Sequence, residues 1–295
     1  MTMIFGVPLA VFTGQLLLGL INGAFYALLS LGLAVIFGLL KIVNFAHGAM
    51  YMLGAFATLL GMRYLGINYW AALLLAPLAV GLAGMLIERL LLRRIGHLDH
   101  LYGLLLTFGL ALIFEGTLVN FFGVSGARYP TPESLAGGYQ LGFMFLPKYR
   151  AWVLLAAIGV CLFTWYMIER TRLGAYLRAG TENPALMQAF GVNVPLLVTL
   201  TYGFGVALAA FAGVLAAPLY PVSPTMGSNL LIVVFAVVVI GGMGSILGAI
   251  VTGLAMGLIE GLTKVYYPEA ANTVIFLVMI LVLLIRPTGL FGKEA

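Results

Sequence analysis

Long apolar runs separated by short polar connections are the main pattern of this sequence. The stretch "WVLLAAIGVCLFTWYMI" (152–168) is apolar at almost every position. A helix that crosses a bilayer needs about 20 such residues, and helices satisfy their own backbone hydrogen bonds in lipid. The pattern therefore predicts eight helical membrane segments, at roughly 9–40, 46–62, 70–92, 101–122, 151–168, 195–218, 230–262 and 271–291.

The first and seventh segments are too long for one straight crossing at about 1.5 Å per residue. Each contains a glycine-rich stretch, "GLING" at 19–23 and "GGMGS" at 241–245. We expect both helices to be broken or partly re-entrant at these points.

Composition supports a membrane protein. The 295 residues are 63% hydrophobic and 8% charged, whereas soluble domains carry about 25% charged residues. The fold class expected is all-α and polytopic, with about eight transmembrane segments. The net charge of +5 does not indicate nucleic-acid binding, because the cations cluster beside the spans, where they orient a protein in the membrane. We expect the basic connections 88–100 and 169–194 to lie together in the cytoplasm and 123–150 to face outward.

Polar groups interrupt the apolar pattern in "KIVNFAHGAMYMLGA" (41–55). Asn44 and His47, followed by Gly48, are candidates for the substrate path or its gate. Two interpretations are open: these side chains cap backbone groups freed by a helix break, or they contact substrate. Broken helices survive at membrane depth only beside protein or water, so the two roles are compatible.

A weak internal repeat links the two halves of the chain. The stretches 48–58 and 242–252 share Gly, Leu-Gly-Ala and Thr in the same register, a similarity that chance also produces in apolar sequence. Many transporters consist of such repeats, with discontinuous helices at the substrate site. The repeat adds further path candidates in the second half: Gly241, Gly242, Gly244 and Ser245.

Other features have simpler explanations. Glu115 lies roughly 21 Å along the span that starts near Leu101 and is either a functional group in the substrate path or a neutral or paired carboxyl near the outer interface. Asp99, in "HLDH" (97–100), is better explained as a helix cap than as a metal ligand. Small residues recur every four positions and predict close helix packing, at Gly205, Ala209, Gly213 and Ala217, and at Gly253, Gly257 and Gly261.

The polar segment 169–194 has the features of a structured element. Asn183, Pro184 and Gly191 fit the N-cap, the first position and the C′ residue of a short helix. It is either an interfacial loop that holds two spans apart or a docking surface for a soluble partner.

Four stretches carry a family resemblance: "VNFAHGAMYMLGAF" (43–56), "GAYLRAGTENPALMQAFGVN" (174–193), "VVVIGGMGSILGAIVTG" (237–253) and "RPTGLFG" (286–292). Over nearly its whole length the chain resembles the LivH-type permease subunits of ABC importers for branched-chain amino acids. The resemblance implies one transmembrane permease domain, 1–295, in a bacterial-type cytoplasmic (inner) membrane. The implied partners are two ABC ATPase subunits, a second permease of the same family and an extracytoplasmic solute-binding protein, with ATP used by those partners and no cofactor on this chain.

The resemblance also implies that the docking segment, 169–194, binds the ATPase subunits. The matching candidate residues are Gly174, Arg178, Glu182, Asn183, Pro184 and Gly191. The sequence departs from the broader importer pattern because no Glu-Ala-Ala precedes the glycine.

Two other classes of function fit the sequence less well. An enzyme is disfavoured because the sequence has no Walker A, His-Glu-x-x-His or Gly-x-Ser-x-Gly pattern. A passive channel for a small neutral solute such as urea is the main rival, but a channel has no need of the structured segment 169–194. Within the importer class, urea, short amides and aromatic acids are the alternative substrates.

Overall fold

The computed structural model describes residues 3–4, 7–40, 43–96, 98–142 and 144–292, and the described chain is predominantly helical. Lys41 and His97, in two of the stretches quoted above, lie outside the described residues. The helices are α1 (Leu9–Leu40), α2 (His47–Leu65), α3 (Tyr69–Ile87), α4 (Arg93–Ile95), α5 (His100–Phe122), α6 (Lys148–Arg170), α7 (Arg172–Glu182), α8 (Pro184–Ala189), α9 (Val194–Ala216), α10 (Met226–Gly241), α11 (Ile246–Tyr266) and α12 (Val274–Ile285). A π-helical turn, Glu88–Leu92, joins α3 to α4, and 3-10 turns cover Glu133–Leu135 and Pro268–Ala270.

The predicted fold class is confirmed. Within the described residues, six helical stretches are long and apolar enough to cross a membrane, and α10 and α12 are shorter apolar helices. The protein is therefore a multi-pass, all-α membrane protein. Two antiparallel pairs of short strands complete it, β1 (Met3–Ile4) with β2 (Val7–Pro8) and β3 (Gly138–Gln140) with β4 (Phe145–Pro147).

The predicted break in the first segment is wrong, and the break in the seventh is confirmed. Helix α1 runs without interruption for 32 residues. Its glycines allow close packing: a Cβ on Gly19 would lie 2.5 Å from the Gly257 carbonyl oxygen, and a Cβ on Gly23 would lie 2.9 Å from the Leu254 carbonyl oxygen. In the seventh segment α10 ends at Gly241 and α11 begins at Ile246.

The chain divides into two compact units. The first unit comprises Met1–Ser30, Pro130–Cys161 and Val233–Ala295, and the second comprises Leu31–Tyr129 and Leu162–Ile232. The single permease domain over 1–295 stays a prediction.

The core of the first unit is apolar side chains from α10, α11 and α12. Buried Ala236, Val237, Ile240, Met256 and Ile275 form one cluster. The small-residue face of α11 packs against α1 as predicted, with Gly253 against Ala27 and Gly257 against Gly23.

Helices α2, α3 and α9 pack together in the second unit. The small face of α9 is the contact surface, with Gly205 against Gly32 and Gly213 against the Tyr51 carbonyl. The sequence-based loop 88–100 is largely wrong, because the helical path continues through the π turn to Ile95. Asp99 caps α5 as expected, its Oδ1 accepting from the Leu101 N–H at 2.9 Å.

Two contacts within the second unit agree with the prediction that the connections 88–100 and 169–194 lie on the same side of the protein. Arg93 of α4 contacts the Pro195 carbonyl, so the end of the helical path that begins with α3 lies beside the start of α9, just after the docking segment. Elsewhere, Ala127 and Val222 form an isolated antiparallel bridge between the connections that follow α5 and α9. Which end faces the cytoplasm stays a prediction.

Candidate functional site

The helix break at 43–46 lies in the second unit and is built around Asn44. Its side-chain Oδ1 accepts from the Ala46 N–H at 3.1 Å, and its backbone oxygen accepts from the His47 N–H at 3.2 Å. Asn44 is 1% exposed. A local side-chain bond of this kind competes with helix and favours a turn, so Asn44 caps freed backbone groups as the first interpretation proposed.

Thr107 of α5 completes the break, and sequence reasoning missed it. Its Oγ1 accepts from the Phe45 N–H at 3.2 Å and donates within its own helix to the Leu104 carbonyl at 3.0 Å. The Phe45 and Phe108 rings pack edge to face beside it, 6.1 Å apart. No local signal marks Thr107, because it contacts a segment 62 positions earlier in the chain.

Replacing Thr107 with valine is expected to lower the free energy of unfolding by about 1 kcal/mol, because the half-buried Phe45 N–H loses this acceptor. Valine has nearly the same shape, so the change isolates the hydroxyl. Thermal unfolding of the purified protein in detergent measures the loss. Thr107→Ser keeps the oxygen and is the control; equal stability of the two variants would contradict this role of the hydroxyl.

His47 and Gly48 begin α2 in a closely packed setting. The His47 side chain is 1% exposed and lies against Gly32 of α1. A Cβ on Gly48 would lie 2.5 Å from the Gly227 carbonyl oxygen. Next to Asn44, the Tyr202 hydroxyl of α9 is buried. Neither that hydroxyl nor the Asn44 amide nitrogen makes a hydrogen bond of acceptable geometry among the described residues.

The second break, 242–245, lies in the first unit and is built differently. Gly242 and Gly244 have φ of 95° and 84°, a left-handed conformation that favours glycine. Ser245 is the N-cap of α11, its Oγ accepting from the Gly248 N–H at 3.1 Å. Gly241 ends α10, and its carbonyl accepts from the Phe291 N–H at 3.2 Å.

The C-terminal stretch 286–292 closes this second break. The Leu290 N–H donates to the Ile240 carbonyl at 2.8 Å, next to the Phe291 bond to Gly241. The last carbonyls of a helix have no partner within the helix, so these two bonds satisfy the end of α10. The two breaks are therefore completed by different distant partners, Thr107 in one and the C-terminal backbone in the other.

Glu115 lies eight residues after Thr107 on α5, about 12 Å further along the helix from the first break. It is half-buried on α5, a helix that buries little of its surface in the described structure. Among the described residues it makes no hydrogen bond or ion pair. The role of Glu115 in the substrate path stays a prediction. A second acidic group, Glu260 of α11, is buried within the protein; it accepts from the Tyr26 hydroxyl at 2.6 Å and pairs with Lys264.

Caps at both ends define α8 within the docking segment. Asn183 is the N-cap, its Oδ1 accepting from the Leu186 N–H at 2.9 Å, and Pro184 is the first helical residue. Gly191, with φ of 82°, takes the C′ position, and the Val192 N–H donates to the Met187 carbonyl at 3.1 Å. This is a Schellman motif, so the sequence-based assignment of all three positions is confirmed.

Helix α7 is held against the end of α6 by one carbonyl. The Ile168 oxygen accepts from Arg178 Nη1 at 2.9 Å, and a Cβ on Gly174 would lie 1.6 Å from the same oxygen. Arg178 also pairs with Glu169 at 3.6 Å. Gly174 and Arg178 therefore position the docking segment, whereas Glu182, Asn183, Pro184 and Gly191 lie on its exposed surface.

Large apolar side chains accompany these polar residues on the exposed surface of the docking segment. Phe190 is 75% exposed and Leu186 is 51% exposed, and Leu173 and Tyr176 of α7 are also exposed. Exposed apolar groups rimmed by polar residues mark interaction surfaces.

Comparison with known proteins identifies the family. The profile of the family described as "Branched-chain amino acid transport system / permease component" matches residues 15–283. The chain belongs to this permease family. It is 31% identical over 297 residues to the high-affinity branched-chain amino acid transport system permease protein BraD of Pseudomonas aeruginosa, covering 95% of each chain. It is 30% identical over 299 residues to LivH of Escherichia coli K12, covering 96% of each.

The permease is also similar to LivM of Salmonella typhimurium, at 27% identity over 292 residues, covering 90% of this chain and 67% of LivM. No solved structure matches the permease. The four stretches that carried the resemblance coincide with the elements described above: the first break and the start of α2, the α7–α8 docking segment, the second break, and the C-terminal backbone that closes it.

Proposed function

We propose that this chain is a permease subunit of an ATP-driven ABC importer for branched-chain amino acids in a bacterial-type cytoplasmic membrane. The observation that carries the proposal is the docking segment, whose exposed apolar surface is held rigid by a capped helix and by the Ile168 carbonyl. A lipid-embedded channel has no use for such a surface. The similarity to LivH and BraD, whose names state branched-chain amino acid transport, supports the substrate class.

The proposed assembly contains two ATPase subunits, a second permease and an extracytoplasmic solute-binding protein. The similarity of the chain to both LivH and LivM supports a permease pair built from two members of one family. ATP is bound and hydrolysed by the ATPase subunits, and this chain binds no cofactor. Closure of the ATPases displaces the docking segment and so alternates access to the path, with 169–194 in the cytoplasm.

The two helix breaks are the proposed elements of the substrate path. Asn44, His47 and Gly48 belong to one, and Gly241, Gly242, Gly244 and Ser245 to the other. At the first break, Asn44 Nδ2 and the Tyr202 hydroxyl of α9 are buried close together without a hydrogen bond of good geometry. Buried polar groups of this kind are costly, so a conformation that exposes them to substrate or water relieves the cost. We propose that the first break is a closed gate in the conformation described.

The docking proposal predicts that Phe190→Ala weakens ATPase binding at least tenfold, because an exposed aromatic anchor at an interface contributes about 2 kcal/mol or more. Co-purification of the ATPases and ATP-dependent uptake of labelled leucine into proteoliposomes are the measurements. Phe121→Ala is the matched control: Phe121 is 73% exposed, close to the value for Phe190, but lies at the far end of α5.

Normal ATPase binding by Phe190→Ala would contradict the docking surface. Uptake of leucine or urea that proceeds without ATP in the unaltered complex would instead support the channel. Competition by urea, short amides and aromatic acids in the same assay tests the substrate class.

A further inference from the structure

An ion-pair cluster around the buried Glu88 side chain ties the helical path that continues from α3 to the first two turns of α9. Glu88 is 2% exposed, and its Oε2 lies 3.4 Å from Arg93 Nη2. The Thr199 hydroxyl donates to the same Oε2 at 2.6 Å. Arg93 Nη2 in turn donates to Thr199 Oγ1 at 2.6 Å and to the Pro195 carbonyl at 2.7 Å. We call Glu88, Arg93 and Thr199 the clasp.

The π turn Glu88–Leu92 makes the clasp possible. Residues five apart in an α-helix point about 140° away from each other at 3.6 residues per turn. The wider π turn closes i→i+5 hydrogen bonds, and the Arg93 N–H indeed donates to the Glu88 carbonyl. Glu88 and Arg93 therefore face the same side and reach α9 together. An α-helical winding of this turn would move Arg93 away from Glu88 and from α9.

The part of α9 held by the clasp directly follows the docking segment. Gly191 ends the Schellman turn of α8, and Asn193 caps α9, its Oδ1 accepting from the Leu196 N–H at 3.1 Å. A capped turn without a flexible linker transmits displacement, so movement of α8 shifts the start of α9. Separating α9 from α3 would remove the Thr199 hydroxyl from Glu88, and the Thr199 and Pro195 acceptors from Arg93, and lost hydrogen bonds to charged groups are costly. The two helix ends therefore move together.

We propose that Glu88, Arg93 and Thr199 are positioning residues that transmit movement of the docking segment to α3 and so couple ATP hydrolysis to transport. The inference rests on the proposed importer function and assigns these residues no contact with substrate or nucleotide. This coupling role differs from a purely structural role. If the clasp were only structural, its loss would lower stability but leave the ATP used per imported molecule unchanged.

The test uses the complete complex of permeases, ATPases and binding protein, with Thr199→Val and Glu88→Gln as variants. Thr199→Ser keeps the hydroxyl and is the rescue variant. Thr201→Val is the matched control, since among the described residues the Thr201 hydroxyl donates only within α9, to the Leu197 carbonyl at 2.9 Å. Two quantities are measured: amide hydrogen exchange over 183–199, and ATP hydrolysed per leucine imported into proteoliposomes.

We expect Thr199→Val and Glu88→Gln to raise both quantities about fivefold or more, because local opening follows the loss of buried charged hydrogen bonds. Thr199→Ser and Thr201→Val should stay close to the unaltered complex. Unchanged amide hydrogen exchange in Thr199→Val would show that the clasp does not hold α9 to α3. Raised exchange with an unchanged ratio of ATP hydrolysed to leucine imported would overturn the coupling role. If the unaltered complex shows no ATP-driven uptake, the proposed function fails, and the coupling role fails with it; the exchange measurement then still decides whether the clasp holds α9 to α3.

Discussion

Gly213→Ala is expected to lower the melting temperature of the permease by roughly 5–10 °C, which corresponds to an overpacking cost of about 3 kcal/mol. Gly213 lies on α9 where it crosses α2, and a Cβ there would lie 2.0 Å from the Tyr51 carbonyl oxygen. That oxygen is backbone within α2, so it cannot move aside as a flexible side chain can. The two helices must separate, and the close contacts between them are lost.

The same contact can be tested from its other side. A Cβ on Gly54 of α2 would lie 2.2 Å from the Ala210 carbonyl oxygen of α9, so Gly54→Ala should have an effect of similar size. Gly116→Ala is the control, because Gly116 is exposed on α5 and an added Cβ there would have no neighbouring heavy atom within 4 Å among the described residues. The melting temperatures of the three variants are compared by thermal unfolding in detergent, with size-exclusion chromatography as the readout of folded protein. Equal melting temperatures for Gly213→Ala and Gly116→Ala would show that α2 and α9 do not approach this closely.

The small-residue faces of α9 and α11 were predictable because their signal is periodic and local. Glycine and alanine at every fourth position place one smooth face on a helix whatever the neighbouring helix is. The α8 helix was predictable for a related reason: Asn183, Pro184 and Gly191 act on backbone groups only a few residues away. The sequence did not reveal which helix each small face contacts.

The contrast between "GLING" and "GGMGS" shows where local reasoning fails. Both stretches are rich in glycine, yet Gly19 and Gly23 lie in a continuous helix and the second stretch is a true break. In α1 the glycines permit contact with Gly257 and Leu254 of α11. The carbonyls at the end of α10 accept hydrogen bonds from Leu290 and Phe291, fifty positions later. Both outcomes depend on distant parts of the chain.

In the candidate site, too, residues with local partners could be predicted and residues with distant partners could not. The capping role of Asn44 could be predicted because its bond to the Ala46 N–H spans two residues. Thr107 and the clasp of Glu88, Arg93 and Thr199 could not be predicted, because their partners lie 62 to 111 positions away. Glu88 was further obscured by the π turn, since the charged sequence "ERLLLRR" (88–94) suggests the end of a span.

Gly174→Ala is expected to abolish ATP-driven uptake by displacing the docking segment while the helical spans stay folded. A Cβ on Gly174 would lie 1.6 Å from the Ile168 carbonyl oxygen, far inside van der Waals contact. Helix α7 must move away from the end of α6, and Arg178 then loses its bond to the same oxygen. Because α8 follows α7 directly, the exposed Phe190 surface moves too. We expect ATPase co-purification to fall at least tenfold, as for loss of an interface anchor.

Gly180→Ala is the matched control in the same helix. Gly180 is also buried on α7, but the nearest atom to its added Cβ is Leu197 Cδ2 at 3.5 Å, an ordinary contact. The two variants make the same chemical change six residues apart, so any effect on helix propensity is shared. Normal ATPase co-purification and uptake in Gly174→Ala would show that the Ile168 carbonyl does not set the position of the docking surface. Loss in both variants would indicate that α7 tolerates no side chain at either buried glycine, and the specific role of the carbonyl would be wrong.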